Sequence, residues 1–177
     1  MSRNTKSTLI SVGATASPPV TLPPRDSLLL DNQMCFALYS ASLTMTKVYK
    51  PLLQKFGLTY PQYLVMLVLW EQDARSVSEL GERLFLDSGT LTPLLKRLEA
   101  LSFVTRKRDI ADERRVIVAL TTAGKRLQKQ SLSVPQHISC ATECSLPELI
   151  ALTRQLGKLR MALLRSTDST SNTGKTN

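Results

Sequence analysis

The segment 76-SVSELGERLFLDSGTLTPLLKRLEALSFVTRKRDIADERRVIVAL-120 decides the fold of this chain. Its apolar residues first recur at intervals of three and four, which predicts two short helices. The period then changes to two in residues 103–106 and 116–120, where β-branched and aromatic residues predict a hairpin with a charged tip. Helix, turn, helix and hairpin in this order form a winged helix-turn-helix, whose second helix enters the major groove of DNA.

Short polar residues mark where the two helices of this segment begin. We expect Ser78 to cap the first helix, and Asp87 or Ser88 to cap the second. Pro93 falls in the first turns of the second helix, where a missing N–H costs least.

Charge and hydroxyl groups in the same segment favour DNA as the partner. Five cationic side chains converge on the hairpin tip, where only phosphates or water could pair with them. Small hydroxylated residues begin the second helix, and they would let its N-terminus approach DNA closely. The alternative is a solvated hairpin on a protein that never meets nucleic acid. The residues expected at a DNA interface are Ser88, Gly89, Thr90, Thr92, Pro93, Lys96, Arg97, Arg106, Lys107, Arg108, Asp112, Arg114 and Arg115.

Composition narrows the class of protein. The chain has 177 residues, enough for one domain, and a formal net charge of +9 that favours an acidic partner, although charge alone does not separate nucleic acid from anionic lipid. The longest apolar run, residues 63–70, is too short to span a membrane. Three cysteines without paired spacing predict a reducing, cytoplasmic compartment. With His137 as the only histidine, we expect no metal and no cofactor.

Helical patterns flank the winged segment on both sides. Residues 31–56 predict a long apolar helix with a kink at Pro51, and residues 60–73 predict a buried helix that begins with a capping box. A further helix opens at Thr121 or Thr122 and is interrupted by Pro135. The last helix, after Ser145, carries a heptad-like leucine stripe. The apolar faces of the first long helix and of the last helix need partner surface, which indicates a homodimer.

These elements predict a mainly α fold with a small β-hairpin wing, in a single domain over residues 26–165. Residues 26–75 and 121–165 would form the helical dimerisation region, and residues 76–120 the DNA-binding part. Residues 1–25, rich in Ser, Thr and Pro, predict a flexible extension. Residues 166–177, polar and of low complexity, predict a disordered tail.

Cys35 lies near the start of the first long helix, where the helix dipole favours a thiolate. The alternative is a small buried hydrophobe among apolar neighbours. Tyr39 lies one turn from Cys35 on the same face and is counted among the redox-sensing residues, whereas Tyr49 lies ~21 Å from Cys35 along the axis. If two first helices cross antiparallel in a dimer, Tyr49 and Tyr60 of one subunit can reach Cys35 of the other, and their O–H groups would stabilise a thiolate.

Cys140 and Cys144 lie four residues apart between the last two predicted helices. From spacing alone this pair could bind a metal ion, could form a local disulfide, or could supply one resolving thiol for oxidised Cys35.

Several motifs together resemble the MarR family of dimeric repressors over residues 31–165. The resemblance rests on Val77-Ser78-Glu79-Leu80, Leu98-Glu99, Leu101-Ser102-Phe103-Val104-Thr105-Arg106, Asp112-Glu113-Arg114-Arg115 and Leu120-Thr121-Thr122-Ala123-Gly124. With Cys35, Tyr49 and Tyr60, the chain is similar to the two-cysteine form of the branch that senses organic hydroperoxides.

This resemblance implies a repressor that holds a pseudo-palindromic operator in double-stranded DNA until an organic hydroperoxide oxidises Cys35. It implies an intersubunit disulfide with Cys140, or alternatively Cys144, and control of an organic hydroperoxide detoxification gene. One alternative is a repressor of the same family gated by a small phenolic ligand. Another is a thiol peroxidase, although the chain has no C-x-x-C motif and a peroxidase has no use for a DNA-reading half. Turnover with excess dithiol and peroxide would decide between this enzyme and a repressor.

Overall fold

The computed structural model of the chain describes the backbone of residues 25–173 and the side chains of residues 25–167. Two 3-10 turns, Asp26–Leu28 and Leu30–Asn32, precede the first helix. The remaining elements, in chain order, are α1 (Met34–Gln54), α2 (Tyr60–Glu71), β1 (Arg75–Ser76), α3 (Val77–Leu84), α4 (Ser88–Ala100), β2 (Val104–Arg108), β3 (Val116–Leu120), α5 (Thr122–Gln130), α6 (Val134–Ala141) and α7 (Leu146–Thr173).

The chain divides into two compact units, one ending at Ala41 and the other beginning at Ser42, so the division falls within α1. The sequence predicted one domain over residues 26–165. The described part of the first unit, residues 25–41, buries no side chain. Side-chain amides of Asn32 and Gln33 donate to the carbonyls of Asp26 and Ser27, which fixes the 3-10 turns locally. The hydrophobic core belongs to the second unit.

That core is built around α2, which is apolar nearly all round, as the sequence predicted. Tyr63, Val65, Met66 and Leu69 of α2 are buried, and the leucines of α3 and α4 pack with them because each of those helices is apolar on one face. The remaining buried members are Leu53, Leu58, Val68, Leu80, Leu91, Leu95, Leu98, Val104, Val118, Leu127 and Val134.

A three-stranded antiparallel sheet in the order β1-β3-β2 completes this unit. The predicted hairpin is present: Val104 pairs with Leu120, and Arg108 pairs with Val116. The edge strand β1 was not predicted. It has only two residues, Arg75 and Ser76, which are too few to show an alternating pattern.

Hydrogen bonds at the helix starts correct one predicted cap. Ser76, not Ser78, caps α3: the N–H of Glu79 donates to Ser76 Oγ (3.2 Å), and the N–H of Ser76 donates to Glu79 Oε2 (2.7 Å). The reciprocal pair is a capping box, which places the helix start at Val77 and leaves Ser78 exposed. The predicted start of α2 is confirmed, because the N–H of Thr59 donates to Gln62 Oε1.

The C-terminal half confirms one prediction and differs from another. The expected break at Pro135 separates two helices, since α6 begins at Val134 and takes this proline in its first turn. The last helix continues to Thr173, so the predicted boundary at Arg165 lies inside it. Once a helix is nucleated, each further residue needs to fix only its own backbone, and a polar composition does not stop it.

The predicted extension over residues 1–24 and the last residues of the predicted tail, 174–177, lie outside the described residues. Within the described part of the chain, no helix combines the length and the apolar character that crossing a bilayer requires.

Candidate nucleic-acid interface and thiol site

The start of α4 presents small polar residues on its outer face. Asp87 caps the helix by accepting the N–H of Thr90 (2.9 Å), and its second oxygen accepts the Thr90 hydroxyl (2.7 Å). These two hydrogen bonds hold the pKa of Asp87 below its ordinary value, so the cap carries a negative charge. The Thr92 hydroxyl donates to the carbonyl of Ser88 (2.6 Å).

One face of α4 is buried and the other is exposed, as a helix that enters the groove of DNA requires. Leu91, Leu95 and Leu98 are buried, which fixes the helix on the core. The outer face carries the residues that the sequence predicted for DNA: Ser88, Gly89, Thr90, Pro93, Lys96 and Arg97 are exposed, and Thr92 is half-buried. The geometry therefore leaves the predicted contact residues of α4 open to a partner.

The turn between α3 and α4 depends on close approach of the backbone. A Cβ on Gly81 would lie 2.7 Å from the carbonyl oxygen of Leu86, closer than van der Waals contact allows. Phe85 ends α3 in the left-handed region, with φ of 57°. Gly81 is thus a sequence signal for the helix-turn-helix that the sequence reasoning did not use.

Arg106 has a partner within the chain, contrary to the expectation that only phosphate or water could use the cations of the tip. Its Nε and Nη2 donate to Glu99 Oε2 at 2.9 and 2.6 Å, and its backbone N–H donates to Glu99 Oε1 at 3.2 Å. Glu99 lies in the last turn of α4, directly beside β2. Arg106 therefore links β2 of the wing to α4.

Arg115 also has acidic neighbours. One of its nitrogens lies 3.8 Å from Glu79 Oε2, and the other lies 4.0 Å from Asp109 Oδ2. Lys107, Arg108 and Arg114 are exposed and make no ion pair within residues 25–167. These three are the tip cations that a phosphate can reach without competition.

The tip itself is held by hydrogen bonds to aspartates. Asp112 Oδ1 accepts the N–H of Arg114 (3.1 Å), and the carbonyl of Asp112 accepts the N–H of Arg115 (2.9 Å). Asp109 Oδ1 accepts the N–H of Ala111 (3.0 Å). Asp112, predicted as a DNA-contacting residue, thus has a structural part in shaping the turn that presents Arg114.

All three cysteines are free thiols. Cys35 is exposed in the first turn of α1, in the first unit, and Tyr39 one turn further is exposed as well. Cys140 is exposed near the end of α6, whereas Cys144 is half-buried and its Sγ donates to the carbonyl of Thr142 (3.2 Å). Within the described residues, no three His, Cys, Asp or Glu side chains are placed to hold a metal ion.

Phenol rings from α1 and α2 form a cluster in the second unit. The ring of Tyr49 lies 4.5 Å from that of Tyr60 and 6.0 Å from that of Tyr63, between centroids. Burial, together with the neighbouring Tyr60 and Tyr63, raises the pKa of Tyr49 to about 12, and burial also raises the pKa of Tyr60 and of Tyr63. All three phenols therefore keep their protons near neutral pH and can act as hydrogen-bond donors.

Sequence reasoning named two members of this cluster and missed Tyr63. The missing signal is its position three residues after Tyr60, which places both rings on one face of α2.

Comparisons with known proteins agree with this architecture. A protein-family model described as "Transcriptional regulator SarA/Rot" matches residues 47–131. The organic hydroperoxide resistance transcriptional regulator of Bacillus subtilis is 52% identical over 113 residues, which are 64% of this chain and 77% of that protein. The HTH-type transcriptional regulator TtmR of Methylorubrum extorquens is 48% identical over 145 residues, which are 82% of this chain and 74% of that protein.

Solved structures of AbfR from Staphylococcus epidermidis share the fold. One has a TM-score of 0.65 at 34% identity, covering 80% of this chain and 97% of that one. Reduced AbfR bound to DNA has a TM-score of 0.64 at 37% identity and covers 76% of this chain and 95% of its own. Disulfide-formed AbfR, at 38% identity and the same two coverages, has a lower TM-score of 0.55.

Proposed function

This chain belongs to the MarR/SarA-type winged-helix family of transcriptional regulators, and we propose that it is a repressor released from its operator when an organic or lipid hydroperoxide oxidises Cys35. The observation that carries this proposal is the pair of protonated phenols, Tyr49 and Tyr60, in one cluster of a chain whose Cys35 thiol is exposed. The target is an organic hydroperoxide resistance gene, as the name of the Bacillus subtilis relative suggests.

The DNA-binding form is a homodimer that places two α4 helices and two wings on a pseudo-palindromic site. Exposed apolar side chains on α7 support this assembly. None of its residues from 146 to 167 is buried, although the helix carries Ile150, Leu152, Leu156 and Leu163. A long helix with this composition needs partner surface to bury it.

The oxidation step is a two-electron transfer from sulfur to the peroxide. The Cys35 thiolate attacks one peroxide oxygen, the O–O bond breaks, and the alcohol leaves with a proton while sulfur becomes sulfenic acid. The Cys140 thiol of the other subunit then attacks this sulfur, and water leaves as the disulfide forms. Two phenol donors, Tyr49 and Tyr60 of the other subunit, would stabilise the attacking thiolate.

Cys140 fits the resolving role better than Cys144. Cys140 is exposed, whereas the Cys144 thiol is half-buried and already donates to Thr142. Attack on a sulfenic acid requires access, and the exposed thiol has it.

A second candidate function has an observation of its own. A mainly apolar cavity of about 270 Å³ lies between α2 and α5–α6, with Tyr63, Leu67, Trp70 and Leu132 in its lining. A small aromatic ligand could bind there and gate DNA binding without any cysteine chemistry.

A gel-shift assay separates these functions. Reduced wild type and Cys35→Ser are bound to a duplex that reduced protein selects from random DNA, and cumene hydroperoxide is added. We expect wild type to dissociate and to rebind after dithiothreitol, and Cys35→Ser to stay bound because serine is not oxidised. Equal dissociation of both proteins, or of neither, would overturn the redox proposal.

A further inference from the structure

The C-terminal end of α2 is joined to the start of α5 by directional polar contacts. The indole Nε1 of Trp70 donates to the carbonyl of Gly124 (3.0 Å). Asp73 Oδ1 accepts the N–H of Leu120 (2.8 Å), and Asp73 Oδ2 lies 3.1 Å from Lys125 Nζ. We call these five residues, Trp70, Asp73, Leu120, Gly124 and Lys125, the α2–α5 junction.

One side of the junction lies at the base of the wing. Leu120 is the last residue of β3 and pairs with Val104 on β2. Gly124 packs closely on the residue just before β2, because a Cβ there would lie 2.1 Å from the carbonyl oxygen of Phe103. The Thr121 hydroxyl also donates to the carbonyl of Ser102 (2.6 Å), so the segment that leads into β2 is held beside the end of β3.

The other side of the junction reaches the phenol cluster. The ring of Trp70 meets the ring of Tyr63 edge-on, with centroids 6.0 Å apart. Tyr63 contacts Tyr49 in turn, and Tyr60 stands one turn earlier on α2. A continuous set of contacts therefore runs from the phenols, along one helix, to the base of the wing.

Asp73 is ionised in this arrangement. Burial alone would raise its pKa, but the N–H groups of Leu120 and Ala74 and the ammonium of Lys125 outweigh burial and lower the pKa below its ordinary value. A carboxylate bound by two N–H groups and an ammonium has strict distance and angle requirements. Apolar packing elsewhere along α2 is non-directional and tolerates small sliding more readily.

We propose that the α2–α5 junction transmits a displacement of α2 to the wing, with Trp70 and Asp73 as positioning residues that join the state of the phenol cluster to DNA binding. This inference rests on the proposed function, because it takes the oxidation of Cys35 as the event that moves α2. The hydrogen bonds of Trp70 and Asp73 are directional. When α2 shifts, these bonds must therefore either move Leu120 and Gly124 with the helix or break.

The test compares DNA affinity before and after oxidation in Trp70→Phe and Asp73→Asn, singly and together. Phe keeps the ring without the N–H, and Asn keeps an acceptor oxygen for Leu120 without the charge that holds Lys125. Lys125→Gln is a milder variant that breaks only the ion pair. Arg83→Gln is the matched control, since it removes the exposed ion pair between Arg83 and Glu71 near the same end of α2.

Each protein is titrated with the selected duplex, reduced and after cumene hydroperoxide, and the rate of Cys35 thiol loss is measured in parallel. We expect the ratio of oxidised to reduced Kd to fall about tenfold in the double variant, within the usual range of coupling between sites. The rate of Cys35 oxidation should stay within about twofold of wild type, and Arg83→Gln should retain the full ratio. A purely structural contact would lower the melting temperature without changing this ratio.

An unchanged ratio in the double variant and in Lys125→Gln would overturn the inference, as would an equal loss in Arg83→Gln. If wild type itself keeps its DNA affinity although Cys35 is oxidised, the proposed function fails first, and the junction has no displacement to transmit.

Discussion

The winged segment, residues 76–120, and the last helix, α7, differ in how much of their apolar surface is buried within the chain. The winged segment pairs part of its charged groups internally, since Arg106 donates to Glu99 and the N–H of Ser76 donates to Glu79. It also buries leucines of α3 and α4. In contrast, α7 buries none of its residues from 146 to 167, although leucines recur along it. The first region can hold its shape within one chain, whereas the second is a surface for something else to cover.

The largest effect should come from removing the thiol that joins two copies. After treatment with hydroperoxide, wild type should run as a covalent dimer on a non-reducing gel, and Cys140→Ser should lose that band while its Cys35 still oxidises to a sulfenic acid or a mixed disulfide. Cys144→Ser should keep the band. The reverse pattern would exchange the two assignments, and a band in every variant would place the disulfide elsewhere.

Two glycines test the comparison directly, because one lies at the wing base and the other lies on α7. Gly124→Ala places a Cβ 2.1 Å from a backbone oxygen, so we expect a loss of about 3 kcal/mol in the free energy of unfolding, as for a severe overpacking change. Gly157→Ala meets no atom within 4 Å, and we expect a gain of up to about 1 kcal/mol from helix propensity.

Urea denaturation of both variants gives these values, and analytical ultracentrifugation gives the oligomeric state. A Gly157→Ala protein that becomes a monomer would show that α7 packs tightly around this glycine in a dimer. A Gly124→Ala protein as stable as wild type would contradict the close packing at the wing base.

The phenol cluster should set the rate at which Cys35 reacts. Tyr49→Phe or Tyr60→Phe removes one donor to the thiolate, at a cost of about 1.5–3 kcal/mol for a charge-assisted hydrogen bond. Stopped-flow measurement of thiol loss with cumene hydroperoxide should therefore slow by about one to two orders of magnitude. Tyr39→Phe is the comparison variant: Tyr39 lies outside the cluster and is exposed, so we expect its loss to slow the reaction less than the loss of Tyr49 or Tyr60. Rates equal to wild type in both cluster variants would remove the phenols from the mechanism.

The smallest effects should distinguish two arginines of the wing. Arg114→Ala should weaken binding to all DNA sequences and reduce the slope of log K against log salt by about one unit, because one phosphate contact is lost. Arg106→Ala should instead lower the melting temperature slightly, since its partner Glu99 and its own guanidinium are partly exposed and screened. Its salt slope should stay close to that of wild type.

Salt titrations of DNA binding by both variants show which of the two arginines contacts phosphate. An undiminished slope in Arg114→Ala would remove this residue from the interface. A reduced slope in Arg106→Ala would return that arginine to the set of phosphate contacts.

Periodicity and capping chemistry in the sequence were sufficient to predict α2, α4, the hairpin and the start of the last helix. Each of these signals is local: a capping box depends on residues three apart, and the period of apolar residues depends on a single helix or strand. The misplaced cap of α3 was within reach of the same local chemistry, because Ser76 is followed three residues on by Glu79, which completes a capping box. Ser78 is followed at that distance by Gly81, which has no side chain to do so.

Only the tertiary structure decided which charged and aromatic residues have partners inside the chain. Glu99 and Arg106 are seven residues apart, Trp70 and Gly124 are fifty-four apart, and no local pattern predicts such contacts. The sequence by itself determined that the wing tip is cationic, that Cys35 begins a helix and that tyrosines follow at useful intervals. Chain folding then committed Arg106 to the wing base, left Arg114 at the tip and added Tyr63 to the phenol cluster, because distance in space, not in sequence, sets the strength of an electrostatic or aromatic contact.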